Sequence, residues 1–118
     1  MDITDWIEHR RHDGELVGWM RPEGESFVPV DLLGRDVSAA TDWLSAEEQL
    51  EERGLGFLAE PYLLELEDGE RRRVRITEVS TEGIRLLNDE FGAASAVGAP
   101  RIEYTLAWPA PAHLRPLR

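Results

Sequence analysis

The sequence predicts a mainly β fold: an antiparallel sandwich or partly open barrel of roughly six or seven strands with one short helix near residues 45–53. Turn signals rich in glycine and aspartate recur about every ten residues, and apolar and polar residues alternate between them. The 118 residues are enough for one domain, predicted over 1–108. An α+β fold with an additional N-terminal helix is the alternative, because Ile3, Trp6 and Ile7 also fit helical spacing.

The first third predicts a three-strand meander. Its strands are Trp6 to Arg11, Glu15 to Arg21 and Phe27 to Leu33. The turns between them contain Asp13-Gly14 and Glu23-Gly24, and glycine adopts the left-handed backbone of tight turns at little steric cost. Pro29 cannot donate a hydrogen bond to a neighbouring strand, which predicts an edge or a bulge there.

A short helix is predicted from Ser45 to Arg53. The Ser45 hydroxyl is expected to accept a hydrogen bond from the amide of Glu48 in a capping box, and Gly54 is expected to end the helix. A helix this short is marginal by itself, so its apolar side chains should dock on a sheet. These side chains are Leu50, Ala46, Trp43 and Leu44.

The second half predicts further strands. They are Tyr62 to Leu66, Arg72 to Val79, Ile84 to Asn88 and Arg101 to Trp108. The segment Asp68-Gly69-Glu70 predicts a hairpin turn, and Asp89 to Pro100 predicts a loop of small residues. Residues 109–118 should run as an extended proline-rich tail, because proline cannot donate in a ladder.

Charge and composition exclude several classes of protein. A net charge of −11 should repel nucleic-acid phosphates and anionic lipids, so neither nucleic acid nor membrane is an expected partner. The absence of cysteine excludes disulfides and thiolate sites. The uncharged run Phe91 to Pro100 is too short to span a bilayer, and the acidic N-terminus does not resemble a secretory signal, so we expect a cytoplasmic location.

The basic residues indicate the origin of the chain. All 13 are arginine, and Asn88 is the only asparagine. Residues with AT-rich codons are thus rare, which is typical of a GC-rich bacterial genome.

No cofactor or metal is expected from the motifs. Gly54 to Ala59 matches the letters of a dinucleotide fingerprint, but a helix precedes it and a strand follows, the reverse of what pyrophosphate binding requires. His9, His12 and Asp13 have metal-ligating chemistry. On a strand, His9 and His12 face opposite sides and cannot share one ion, whereas in a helix they could. His113 lies in the proline-rich tail, where the sequence offers it no metal-ligating partner.

Catalytic residues are also not predicted. The serines lack the flanking glycines of a nucleophile elbow. The paired carboxylates lie on the predicted surface helix, where contact with solvent makes them poor general acids. We therefore favour a protein that is not an enzyme, with a site invisible in sequence as the remaining possibility.

Charge distribution is the most informative feature. Residues 41–70 contain ten acidic residues and one basic residue, Arg53. The four arginines Arg71, Arg72, Arg73 and Arg75 follow at once, and the hairpin should bring Glu65 and Glu67 close to them.

The first functional hypothesis is therefore a small soluble protein-interaction module with an acidic face. Basic protein surfaces are the expected partners of that face, which comprises Glu47, Glu48, Glu51 and Glu52. The alternative is a small-ligand-binding β-barrel or sandwich whose cavity is lined by tryptophan. The candidate residues for such a cavity are Trp6, Trp19, Trp43 and Trp108. The sequence does not predict an oligomeric state.

Overall fold

The computed structural model describes residues 2–89 and 101–117. It has a three-stranded and a five-stranded antiparallel sheet and one α-helix, which confirms the predicted mainly β class with a short helix. The chain divides into two compact units, residues 1–57 and 58–118, and each is described by itself. The expectation of a single domain over 1–108 stays a prediction. Among the described residues, no helix has the length and apolar character that crossing a membrane would need.

The N-terminal unit begins with the predicted meander. Its strands are β1 (Ile7–Arg10), β2 (Leu16–Glu23) and β3 (Ser26–Asp31), in the order β1-β2-β3. The first segment is a strand, so the alternative with an additional N-terminal helix is wrong. Gly14 (φ 90°) and Gly24 (φ 62°) supply the left-handed backbone that both turns need.

Pro29 lies at a position where no backbone amide hydrogen is needed. It sits opposite Met20 in β3, an edge strand of the sheet. The chain after β3 folds back along that edge, and the amide of Val37 donates to the Pro29 carbonyl at 2.8 Å. An edge position tolerates the missing amide hydrogen, as predicted.

The helix α1 spans Trp43–Arg53, and its N-cap corrects the sequence prediction. Asp42 is the cap: its carboxylate accepts from the Ser45 amide at 2.8 Å and from the Ser45 hydroxyl at 3.2 Å. Ser45 is not the cap because the helix begins two residues before it. Gly54 ends the helix as predicted, and its amide donates to the Leu50 carbonyl at 2.9 Å.

Three of the four apolar helix residues contact the sheet as expected, and Trp43 does so through Phe27 of β3. Ala46 and Leu50 are buried and form a core with Val17 and Met20 of β2. Leu44 does not dock, and 62% of it is exposed. Ala46 follows Leu44 by two positions, a rotation of about 200° around the helix, so the two side chains point in nearly opposite directions.

The C-terminal unit is a five-stranded sheet in the order β7-β6-β5-β4-β8. Its strands are β4 (Tyr62–Glu65), β5 (Arg71–Ser80), β6 (Gly83–Asn88), β7 (Glu103–Leu106) and β8 (Leu114–Pro116). Gly69 (φ 86°) forms the predicted turn between β4 and β5. The predicted loop over 89–100 lies, except for Asp89, outside the described residues.

The proline-rich tail corrects another expectation. Residues 114–116 do not run unpaired but form β8, in which Arg115 lies opposite Leu63 and Pro116 lies opposite Tyr62. Leu114 is fully buried and anchors the strand. The pairing is possible because β8 is an edge strand, where one side of the backbone needs no partner.

Buried apolar side chains line one face of this sheet, and Arg73 and Arg75, on either side of Val74, point to the opposite face. Buried apolar side chains include Tyr62, Leu64, Val74, Leu86 and Leu114. Glu65 lies within 3.9 Å of Arg71 and 3.6 Å of Arg115, so part of the predicted charge pairing is present. Glu67 makes no ion pair within residues 2–89 and 101–117, contrary to expectation.

Candidate functional site

The four glutamates of the predicted interaction face fall into two pairs on α1. Glu47 and Glu51 lie one turn apart and contact His9 of β1, whose Nδ1 is 3.4 Å from Glu47 and whose Nε2 is 3.3 Å from Glu51. The imidazole is nearly buried. These contacts connect the helix to the strand, which gives Glu47 and Glu51 a structural role.

Glu48 and Glu52 form the second pair and point to solvent. Both are exposed, and neither makes an ion pair within the described part of the chain. They are also one turn apart, since four residues rotate the helix by about 400°. Their two negative charges are therefore uncompensated on the outside of the helix.

Leu44 lies among the glutamates. Glu47, Glu48 and Glu51 follow it by three, four and seven residues, so all share one side of the helix. Because Glu47 and Glu51 contact His9, we call only Leu44, Glu48 and Glu52 the outer helix face. The predicted helix begins at Ser45 and therefore does not show Leu44 as exposed. In a helix that begins at Trp43, the same spacing places Leu44 on the side away from Ala46.

Trp43 borders this face at the start of the helix. Its ring meets that of Phe27 edge-on, with the centroids 5.1 Å apart, and 39% of the residue remains exposed. The contact with β3 fixes the position of the first turn. An aromatic surface therefore adjoins the exposed Leu44.

Arg53 is the only basic residue in the helix, and it is held away from the outer helix face. Its Nε donates to the buried Asp31 carboxylate at 3.1 Å, and its guanidinium lies 4.2 Å from the centre of the Phe57 ring. A cation near the helix C-terminus is also stabilised by the helix dipole. The Arg53 side chain therefore packs at the C-terminal end of the helix.

The Asp42 cap has an electrostatic consequence. Hydrogen bonds from the backbone amide and then the hydroxyl of Ser45 lower the pKa of Asp42 below its ordinary value. The carboxylate adds a further negative charge next to Leu44 and Trp43 at neutral pH.

The metal and cofactor motifs do not converge on a site. His9 is buried against the helix, whereas His12 is exposed in the turn after β1. The described residues contain no group of His, Cys, Asp and Glu that could hold a metal ion. Gly54 to Ala59 lies between α1 and β4, and its last four residues form a short 3₁₀ helix, Gly56–Ala59.

Three of the four tryptophans pack against aromatic rings in the N-terminal unit. Trp6 and Trp19 meet edge-on at 6.2 Å, Arg21 lies over the Trp6 ring at 5.7 Å, and Trp43 contacts Phe27. These contacts serve the packing of that unit.

Comparisons with protein-family models, with curated proteins and with solved structures find no match for this chain.

Proposed function

We propose that the protein is a non-catalytic protein-interaction module whose outer helix face receives a basic surface of a partner protein. The exposed Leu44 in the midst of carboxylates supports this most directly. An isolated exposed leucine is common on proteins, but here it is flanked by acidic residues at helical spacing. Such a surface offers a partner both apolar area and a charge preference.

The two components have different roles in binding. Burial of a leucine side chain contributes roughly 1.5–3 kcal/mol, which is the source of affinity. The carboxylates of Glu48 and Glu52 increase the association rate and select against acidic partners. The partner surface is therefore one with an apolar side chain flanked by arginine or lysine.

The structure of the helix supports this role in a second way. Arg53 is engaged by Asp31, and Glu47 and Glu51 contact His9, so these structural contacts do not involve Leu44, Glu48 or Glu52. The excess of acidic over basic side chains in the helix therefore lies at the surface. A cytoplasmic location is part of the proposal, and the absence of cysteine supports it.

Affinity capture from a bacterial lysate tests the proposal with matched variants. Leu44→Ser removes the apolar centre, and Glu48→Gln with Glu52→Gln removes two charges without shortening the side chains. The control is Glu23→Gln with Glu25→Gln, which removes the same charge from the exposed end of β2 and the turn after it.

We expect both outer-face variants to lose partners that the control retains. Capture by the unmodified protein should also weaken as ionic strength rises to a physiological value, where the screening length is about 8 Å. Retention of the same partners by Leu44→Ser and by the charge variant contradicts the proposal, as does retention of nucleic acid by the unmodified protein.

A further inference from the structure

The C-terminal unit has a free strand edge beside a cavity. β7 pairs with β6 on one side, and on its other side Glu103–Leu106 makes no backbone hydrogen bond within the described residues. A cavity of about 350 Å³ adjoins this strand. The residues lining it include Glu103, Tyr104, Leu106, Leu64, Glu67 and His113.

The register shows which backbone groups are free. The Asn88 amide donates to the Ile102 carbonyl at 2.9 Å, and hydrogen-bonded pairs recur every second residue in an antiparallel ladder. Tyr104 and Leu106, opposite Leu86 and Ile84, therefore bond to β6. The amide and carbonyl groups of Glu103 and Thr105 face away from the sheet.

The cavity combines apolar side chains with excess negative charge. Leu64 is buried, and Tyr104 and Leu106 are half-buried. Glu65 is matched by Arg71 and Arg115, but Glu67 and Glu103 have no ion-pair partner within residues 2–89 and 101–117. The side chains of a segment bound along β7 would thus contact apolar surface on one face of the strand and carboxylates on the other.

We propose that the edge of β7 binds an extended segment of a partner protein as an added β-strand, in which apolar and basic side chains alternate. Main-chain hydrogen bonds to Glu103 and Thr105 supply affinity, and the alternate side chains supply specificity. Side chains on one side would cover Tyr104 and Leu106, and basic side chains on the other would approach Glu103 and Glu67. This site is separate from the outer helix face and does not depend on it.

Charge selects this occupant over a second copy of the chain. The net charge of −11 makes two copies repel each other. Antiparallel pairing of two β7 strands would also place Glu103 and Glu67 of each copy in the same neighbourhood. A basic segment neutralises those carboxylates instead.

Amide hydrogen exchange followed by NMR tests the proposal on the full chain. The probe is a capped synthetic hexapeptide of alternating arginine and valine, and the control peptide has glutamate in place of arginine. The arginine peptide should slow exchange at the Glu103 and Thr105 amides about tenfold or more, because both become hydrogen-bonded. The glutamate peptide should leave them unchanged.

Two variants separate the contributions of backbone and charge. Thr105→Pro removes an outward amide hydrogen at an edge position that tolerates proline, so peptide binding should be lost while circular dichroism is unchanged. Glu67→Gln with Glu103→Gln should weaken binding about tenfold at low salt. Glu78→Gln with Glu82→Gln, in β5 and the turn after it but outside the residues that line the cavity, should leave peptide binding unaltered.

The proposal is overturned if the arginine peptide does not bind, protects other amides instead, or binds no better than the glutamate peptide. Protection of Glu103 and Thr105 without peptide, together with a dimer in sedimentation velocity, would show that a second copy occupies the edge and would also overturn it. If Thr105→Pro unfolds, the paired glutamate variant still decides the question.

Discussion

The buried carboxylate of Asp31 accepts a hydrogen bond from Nε of Arg53 at 3.1 Å. Its other oxygen accepts from the amides of Leu33 at 2.9 Å and Arg35 at 3.2 Å. One side chain thus shapes the turn after β3 and holds the last turn of α1. The position of the outer helix face depends on both contacts.

Asp31→Ala should lower the free energy of unfolding by about 2–4 kcal/mol, because it leaves buried amides without an acceptor and Arg53 without a counter-ion. The matched control is Asp36→Ala, which breaks the exposed ion pair with Arg21 at 2.8 Å and should cost at most about 1 kcal/mol. Urea denaturation measures both values. Equal losses in the two variants would contradict the central role of Asp31.

Gly18 of β2 is required by close packing. A Cβ atom at this position would lie 2.3 Å from the Val30 carbonyl oxygen and 3.0 Å from a methyl carbon of Leu50. Gly18→Ala should therefore destabilise the protein by roughly 1–3 kcal/mol or more, since the backbone of β3 or the helix must shift. Gly56→Ala, which would meet no atom within 4 Å, is the control. Thermal melts that fail to separate the two variants would refute this account.

The helix cap predicts an order of effects for two variants. Asp42→Ala removes both acceptor contacts with Ser45 and should destabilise the helix more than Ser45→Ala, which removes only the hydroxyl contact. Chemical denaturation of both variants measures the difference. A larger loss for Ser45→Ala would indicate that Ser45 is the cap after all.

The lowered pKa of Asp42 predicts a pH dependence. Because the folded state lowers this pKa, the carboxylate stabilises the fold fully above the ordinary aspartate pKa of about 3.9, and this stabilisation is lost as the pH falls through the folded value. The stability difference between the unmodified protein and Asp42→Ala should thus be constant from pH 5 to 7 and shrink below about pH 4. Urea denaturation across this range is the measurement. A constant difference down to pH 2 would exclude the proposed linkage.

Folding should not depend on a metal ion. His9, the buried histidine, contacts two glutamates on the helix, and bound metal in a structural site would be coupled to folding. Thermal melts with and without a chelator should coincide. A lower melting temperature in the presence of the chelator would contradict this prediction and would indicate a metal site at His9, Glu47 and Glu51.

Local sequence features determined most of the strands and turns. Gly14, Gly24 and Gly69 sit in turns that only a few residue types adopt at low cost, and the alternation between turns has the period of a strand. The end of the helix at Gly54 was predictable for the same reason. These features depend on neighbours a few residues away.

Tertiary structure decided the remaining features because they join distant parts of the chain. Where α1 begins, and hence whether Asp42 or Ser45 caps it and whether Leu44 is exposed, follows from packing of Trp43 on Phe27 and of Leu50 on β2. The contact between His9 and Glu51 spans 42 residues. Residues 114–116 form a strand because burial of Leu114 beside β4 offsets the prolines around it. The sequence around each residue does not predict these long-range contacts, because the free energy that stabilises them comes from apolar surfaces that come together only in the folded chain.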